Sequence, residues 1–300
     1  MRVAVTGSAG FIGSRLCSRL LADGHDVVGI DRRNHADDDL VTMDLSAALA
    51  GADAVLHLAA RPGVRSSWEA FDACARDNVV ATQLLLDAVR VVPGIDRVVV
   101  ASSSSVYGEV APGDEDAPLA PVSPYGVTKV AVEQLCRAYV SSWGTPVVIL
   151  RPFTVYGPGQ RADMAVHRMC EAAFGGDPFP LYGNGSAARD LTYVDDVVDA
   201  FVRAMTADVP AGTTVDVAGG HVVSVHELLT RVGELAGREV PLVRRPAQPG
   251  EARRTQGSTR RAAALLGWRP VTPLDDGLTA QVDWHRAAAA ARERQRVAVA

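Results

Sequence analysis

Over the first half of the chain, short and nearly continuous apolar runs alternate with longer amphipathic stretches. Val3–Thr6, Val27–Ile30, Ala54–Leu58, Arg97–Ser102 and Val147–Leu150 read as buried parallel strands, since a strand covered on both faces has no polar side to show. Phe11–Ala22, Trp68–Val91 and Pro124–Ser142 read as the intervening helices. This alternation predicts an α/β fold, a doubly wound parallel sheet. After Arg151 the pattern loosens. Gly, Pro and charged residues crowd 157–163 and 175–190 around a helix near Met164–Phe174. A strand at Thr214–Val217 and helices near Asp195–Met205, Val225–Ala236 and Thr259–Leu266 follow. The expected organisation is a first domain of 1–154 plus about 191–217. A smaller C-terminal α/β lobe takes about 155–190 and 218–290, and 291–300 is expected to be a fraying Ala- and Arg-rich tail.

Composition narrows the function. With net charge −5 and a pI near 5.8, the chain has no whole-molecule field to draw nucleic acid or an anionic membrane, so an anionic ligand needs local cations. No apolar run approaches the ~20 residues that span a bilayer. The chain enters a strand pattern from its first residues, which argues against a signal peptide. Cys17, Cys74, Cys136 and Cys170 are far apart, with neither metal-ligand spacing nor disulfide density. A reduced, cytoplasmic, metal-free protein is expected.

Gly7-Ser8-Ala9-Gly10-Phe11-Ile12-Gly13 is a G-x-x-G-x-x-G turn between a strand and a helix, which makes the sheet Rossmann-type. Gly7 allows the tight turn, Gly10 the approach of a pyrophosphate, and Gly13 close helix–sheet packing. The amides of Phe11 and Ile12 then face the phosphates from a helix N-terminus. Asp31 ends the second strand, where a carboxylate accepts from both adenosine ribose hydroxyls and repels a 2′-phosphate, favouring NAD(H) over NADP(H). Arg32 and Arg33 beside it could neutralise such a phosphate. Asp44 and Leu45 suit either the adenine edge or an ordinary helix N-cap.

Tyr125 and Lys129 stand at i and i+4, on one helix face. A phenol of ordinary pKa ~10 is a poor base at neutral pH, and Lys129 would supply the cation it needs. Ser102 to Ser105 close a strand at the carboxyl edge of the sheet, where ligands bind in such folds.

Together these segments resemble the extended short-chain dehydrogenase/reductase family of nucleotide-sugar epimerases and dehydratases. The resemblance runs from residue 1 to about 285. It takes in His57-Leu58-Ala59-Ala60, Asn78-Val79, Ser103 to Gly108, Ser123-Pro124-Tyr125-Gly126 with Lys129, Arg151 to Pro158, Arg189 to Asp196, and Gly267-Trp268-Arg269-Pro270. It implies a tightly held NAD⁺ that accepts hydride from sugar C4 while Tyr125 removes the hydroxyl proton and Ser103 hydrogen-bonds the same oxygen. Leu58, Ala59, Ala60 and Pro152 join the implied cofactor site, and Lys129 also holds the nicotinamide ribose. The family's paired helices, matched by Trp68–Val91 and Pro124–Ser142, imply a homodimer.

Family 4,6-dehydratases carry an Asp-Glu pair where this chain has Ser104 and Ser105, and uronate decarboxylases carry a Glu at the place of Ser105. Without those acids, C4 epimerisation through a transient ketone is the expected outcome. Thr154, with Gly159 to Met164 and Arg61 to Ser66, resembles UDP-glucuronate 4-epimerases, whereas neutral-sugar enzymes usually carry Asn at the position of Thr154. Oxidising a uronate at C4 makes a β-keto acid. Hydroxyls of Ser104, Ser105 and Thr154 can hold its carboxylate out of alignment for CO₂ loss without an acid beside it. Arg161 is implied to fix that region, although Ala162 replaces a Pro common there. Arg189 is the expected diphosphate clamp; Arg244, Arg245, Arg253 and Arg254 are unranked second contacts, and Gln248-Pro249-Gly250-Glu251 resembles a family Q-P-G-D segment. Arg61 and Arg65 are either phosphate-facing cations or surface charge. The alternatives are a neutral UDP- or dTDP-hexose or hexosamine 4-epimerase, a decarboxylase or dehydratase, and a dinucleotide-sensing binding protein. His57 reads as a core histidine, while His25, His167, His221 and His226 lack ligand spacing. The four Trp read as packing anchors and Asp37–Asp39 as a solvated loop.

Overall fold

The computed structural model describes residues 1–299 except Pro112, Gln248, Pro249 and Glu251, with side chains described through residue 295. Three members of the Gln248–Glu251 segment therefore lie outside the described residues. The strands are β1 (Arg2–Thr6), β2 (Asp26–Ile30), β3 (Ala54–His57), β4 (Arg97–Ala101), β5 (Val147–Pro152), β6 (Thr154–Tyr156), β7 (Phe179–Tyr182), β8 (Ala188–Tyr193), β9 (Thr214–Val217), β10 (His221–Ser224) and β11 (Leu242–Arg245). The helices are α1 (Phe11–Ala22), α2 (Leu45–Ala48), α3 (Phe71–Ala75), α4 (Ala81–Val91), α5 (Pro124–Trp143), α6 (Ala165–Ala173), α7 (Val194–Thr206), α8 (Val225–Ala236), α9 (Arg260–Leu266) and α10 (Leu274–Val299).

The main sheet runs β2-β1-β3-β4-β5-β9, every pairing parallel. One face buries Leu16, Leu20, Val197, Phe201 and Trp268, and the other buries Leu49, Leu85, Leu86, Val132 and Cys136. Apolar cover on both sides is why these strands lack an alternating polar face. Strand order reverses around β1, leaving a crevice at the carboxyl ends of β1 and β3. After β5 the chain crosses into β6 and β8, where β8 pairs in parallel with β6 and antiparallel with β10. It returns to the main sheet as β9, alongside β5. A second core of Met169, Leu181, Leu228, Val232 and Leu278 packs α6, α8 and α10 around the two small sheets.

One expectation changes. The predicted helix Trp68–Val91 begins only at Phe71: Trp68 closes a 3-10 turn, and a π turn over Arg76–Val80 lies between α3 and α4. The π turn admits an extra residue, and the Asn78 side chain within it reaches Thr128 and the backbone of Arg61. The stretch expected as a tail falls within α10, which runs to Val299. Its Ala-rich run has high helix propensity, and α10 is anchored where Leu278 and Val282 join the lobe core.

Candidate active site

At the β1 crevice the turn is built from close backbone approaches. Gly7 has φ +74°, a conformation disfavoured with a Cβ, and a Cβ there would meet the Ala59 amide nitrogen at 2.7 Å. A Cβ on Gly13 would fall 2.0 Å from the Gly7 carbonyl oxygen, and one on Gly10 2.9 Å from it. α1 opens at Gly10 without a side-chain cap, so the amides of Phe11 and Ile12 remain as donors for an anion at the positive end of the helix dipole. Leu58 follows β3 and donates its amide to the Thr6 carbonyl at 3.1 Å, while the Ala59 amide donates to Thr6 Oγ1 at 3.2 Å. Ala60 and Pro152, both half-buried, lie just past β3 and at the end of β5.

Asp31 follows β2, accepting from the amides of Ala9 at 3.0 Å and Arg33 at 2.9 Å. Burial pushes its carboxyl up, but the Arg33 amide and guanidinium and the Ala9 amide outweigh this and hold it below the usual value. It is ready to accept as an anion. Arg33 pairs with Asp31, whereas Arg32 turns to Asp77 and Asp39. Asp44 caps α2, accepting from the Ala47 amide at 3.1 Å, and with Leu45 it lines a groove beside Leu84, Asp87 and Val91 of α4. A glycine cradle, an uncapped helix end and an ionised carboxylate past the second strand fit the pyrophosphate and ribose of a dinucleotide.

Ser123 caps α5, accepting from the Gly126 amide at 3.1 Å, and so sets Tyr125 in the first turn. The Tyr125 amide donates to Ser67 Oγ at 3.1 Å, and its carbonyl accepts from Thr128 Oγ1 at 2.7 Å. Asn78 donates to Thr128 Oγ1 at 2.9 Å and accepts from the Arg61 amide at 2.6 Å, tying the π turn to α5. Burial raises the Tyr125 phenol, with a hydrogen bond to Ser103 and the positive charge of Arg161 pulling it down. Lys129 is buried, donates to the Ala101 carbonyl at 2.8 Å, and is lowered by burial to about 8. Ser103 Oγ accepts from the Ser105 amide at 3.1 Å and lies 3.2 Å from Ser105 Oγ, and a short 3-10 turn holds Ser104 and Ser105 beside it.

Under these groups lies a buried polar network. Ser102 and Arg151 donate to Glu133 at 2.6–2.8 Å, Arg151 donates to the Tyr107 hydroxyl at 2.7 Å, and Tyr107 donates to Asp216 at 2.7 Å. Burial pushes the Asp216 carboxyl up to about 7.

The residues expected on the substrate side come from β6, the following loop and β8. Thr154 is half-buried at the start of β6, in register with Leu191. Arg161 makes a two-pronged pair with Asp163 at 2.8–2.9 Å. Its loop is pinned by buried Gln160, which donates to the Val155 carbonyl at 2.8 Å and accepts from the His167 amide and from buried Gln281. Arg189 lies on β8 and donates to the Ala188 carbonyl at 3.0 Å, while Asp190 accepts from the amides of Gly220 and Gly257. Arg61 pairs with Asp77, Arg65 stacks on Tyr182, and Arg253 pairs with Glu109. Arg254 donates to Gln256, and Arg244 and Arg245 lie exposed on β11.

His57 is a core histidine, held between Thr6 and Thr82 and pushed down to about 3 by burial. Asn78, Gln160 and Gln281 escaped assignment from sequence. Asn78 stood in a family motif that offered the only clue, and the two glutamines meet across 121 residues.

A family model described as "NAD dependent epimerase/dehydratase family" matches residues 3–218. An uncharacterized UDP-glucose epimerase, YtcB, of Bacillus subtilis is 40% identical over 94% of this chain and 97% of its own. The UDP-glucuronic acid 4-epimerase of Bacillus cereus, solved with UDP-glucuronic acid and NAD, superposes with a TM-score of 0.91 at 36% identity, over 96% of this chain and 100% of that one. MoeE5, solved with the same two ligands, gives 0.91 at 41% identity over the same shares.

Proposed function

The chain belongs to the NAD dependent epimerase/dehydratase family, and from that premise we propose that it interconverts UDP-glucuronate and UDP-galacturonate by inverting C4 through a transient 4-ketone. The observation that carries this reading is the set of groups around Tyr125: hydroxyls of Ser103 and Ser105 with the Arg161 cation bearing on the phenol. An anionic sugar finds hydrogen-bond donors and a positive charge there.

NAD is the cofactor, and when bound it supplies a reversible hydride acceptor. Gly7, Gly10, Gly13 and the amides of Phe11 and Ile12 hold its pyrophosphate, and Asp31 takes the adenosine ribose. Asp44, Leu45, Leu58, Ala59, Ala60 and Pro152 complete the proposed cofactor contacts. Tyr125 takes the proton from the C4 hydroxyl and returns it to the same oxygen once the ketone has turned over and C4 is reduced on its other face. Ser103 holds the same oxygen, and Lys129 holds the ribose hydroxyls near Tyr125. Ser104, Ser105 and Thr154 grip the C6 carboxylate and keep the C5–C6 bond out of line with the ketone, which suppresses CO₂ loss. Arg161 orders that region, and Arg189 clamps the diphosphate.

The cofactor domain of 1–154 plus about 191–217 and the sugar lobe of about 155–190 plus 218–290 follow from this division of labour. A cytoplasmic setting is supported by four free cysteines. A homodimer is supported by the apolar faces of α4 and α5, with Val80 at the end of the π turn and Val127 exposed.

A second reading, 4-epimerisation of a neutral UDP-sugar, is favoured by the name of the B. subtilis relative. NMR of product mixtures separates the two. Purified protein given UDP-glucuronate, without added NAD⁺, should form UDP-galacturonate and no UDP-pentose. Turnover of UDP-glucose with an inert uronate would replace the first reading with the second, and UDP-pentose would make the enzyme a decarboxylase.

A further inference from the structure

Two histidines and a glutamate outside the proposed redox site converge between α6 and α10. His167 and Glu171 stand one turn apart on α6, and His285 comes from α10. One ligand atom from each lies within 4.8 Å of the other two. The Gln160 carbonyl oxygen lies 2.7 Å from Nδ1 of His167 and can only accept, so that nitrogen carries the proton and Nε2 is left as a bare lone pair. An imidazole whose Nδ1–H is held by a carbonyl is oriented as metal-ligating histidines are. Nδ1 of His285 lies 2.9 Å from Oε1 of Glu171, a pair that an ion can bridge by replacing the proton between them. Nε2 of His285 is buried and has no hydrogen-bond partner, so nothing on that side fixes the tautomer of the ring.

We propose that His167, Glu171 and His285 form a binding site for a divalent transition-metal ion of the zinc class. Two imidazole nitrogens and one carboxylate match the ligand preference of such ions, with water completing the shell. Magnesium and calcium, which prefer all-oxygen shells, are disfavoured. Glu171 is 31% exposed and gives the ion access, displacing the Arg292 guanidinium that lies 3.4 Å from its carboxylate. The ion would cross-link α10 to α6. It would also brace Gln160, and with it the loop that carries Arg161. This role is structural and does not depend on which sugar the enzyme turns over.

Chelator-treated full-length protein, titrated with zinc chloride, should retain one zinc per chain through dialysis and melt at a higher temperature. His285→Gln and His167→Gln should weaken zinc binding more than about tenfold and abolish the zinc-dependent rise in Tm. Each variant is compared with its own metal-free Tm, and both should keep the turnover of metal-free wild type. Zinc that washes out of wild type, or that both variants hold equally well, overturns the site. Should a variant fail to fold, cobalt(II) in wild type still decides. Four- or five-coordinate d–d bands without thiolate charge-transfer absorption support the site, and a thiolate band or an aquo-ion spectrum overturns it.

Discussion

Tyr125 shows how far a residue's chemistry is set by its surroundings. Alone it would titrate near 10, and burial drives it higher, against the pull of Ser103 and Arg161. Proton transfer by a positioned group contributes roughly 10²–10⁴-fold in rate, so Tyr125→Phe should lower kcat by that order while NAD stays bound. Turnover of the variant with UDP-glucuronate, read beside the absorbance of bound dinucleotide, checks both halves. Unchanged turnover would remove Tyr125 from the reaction. Lys129 carries a pH prediction with a definite sign. Burial lowers its pKa from 10.5 to about 8, so the ammonium is present below that value and is lost as pH rises through it. If the charge is needed, kcat/KM should fall above about pH 8 with a one-proton slope, and a profile that stays level well above pH 8 would deny the role.

Between elements, the Glu133–Arg151 pair carries the most consequence. It joins α5 to β5, and both side chains are at most 1% exposed. Arg151 also reaches Tyr107 and the Glu115 carbonyl, so one guanidinium links four segments. Removing one member of a buried pair leaves the other charge without compensation, a loss of about 3–5 kcal/mol. Arg151→Met should therefore shift the urea midpoint far downward, and a second change, Glu133→Leu, should recover much of the loss. A double variant as unstable as the single one would place the cost in packing instead. The network runs through Ser102, next to Ser103, so the single variant should also raise KM or lower kcat. None of this was legible in the sequence. Arg151 falls within a family motif, but its partners come from α5 and from the segment between β4 and α5, brought together only when the chain folds.

At the scale of the whole molecule, two units share the proposed work through a chain that leaves the main sheet after β5 and comes back as β9. α4 and α5 lie on one flank, with Val80 and Val127 exposed and Leu84 of α4 and Leu135 of α5 half-buried against the core. If this face joins two copies, light scattering should give twice the 31.6 kDa chain mass. Charge on the face, as in Val80→Glu with Val127→Glu, should then return the protein to monomer without loss of secondary structure. Wild type that is monomeric at micromolar concentration would exclude the dimer. The π turn between α3 and α4 matters here too, since it rotates everything after Asn78 relative to a regular helix.

What the sequence determined was whatever depends on neighbours along the chain. Apolar runs gave the parallel strands, Gly7, Gly10 and Gly13 gave the turn, and the i, i+4 spacing put Tyr125 and Lys129 on one helix face. Local sterics and periodicity decide such features, so they survive without a structure. Tertiary structure alone brought the charge of Arg161, 36 positions on, to bear on the Tyr125 phenol. It alone set Gln281 behind the loop of Gln160, and faced His167 with His285 although no spacing pattern connects them. Those groups are far apart in sequence, and Coulomb energy and hydrogen bonding depend on distance in space, which the order of residues does not contain.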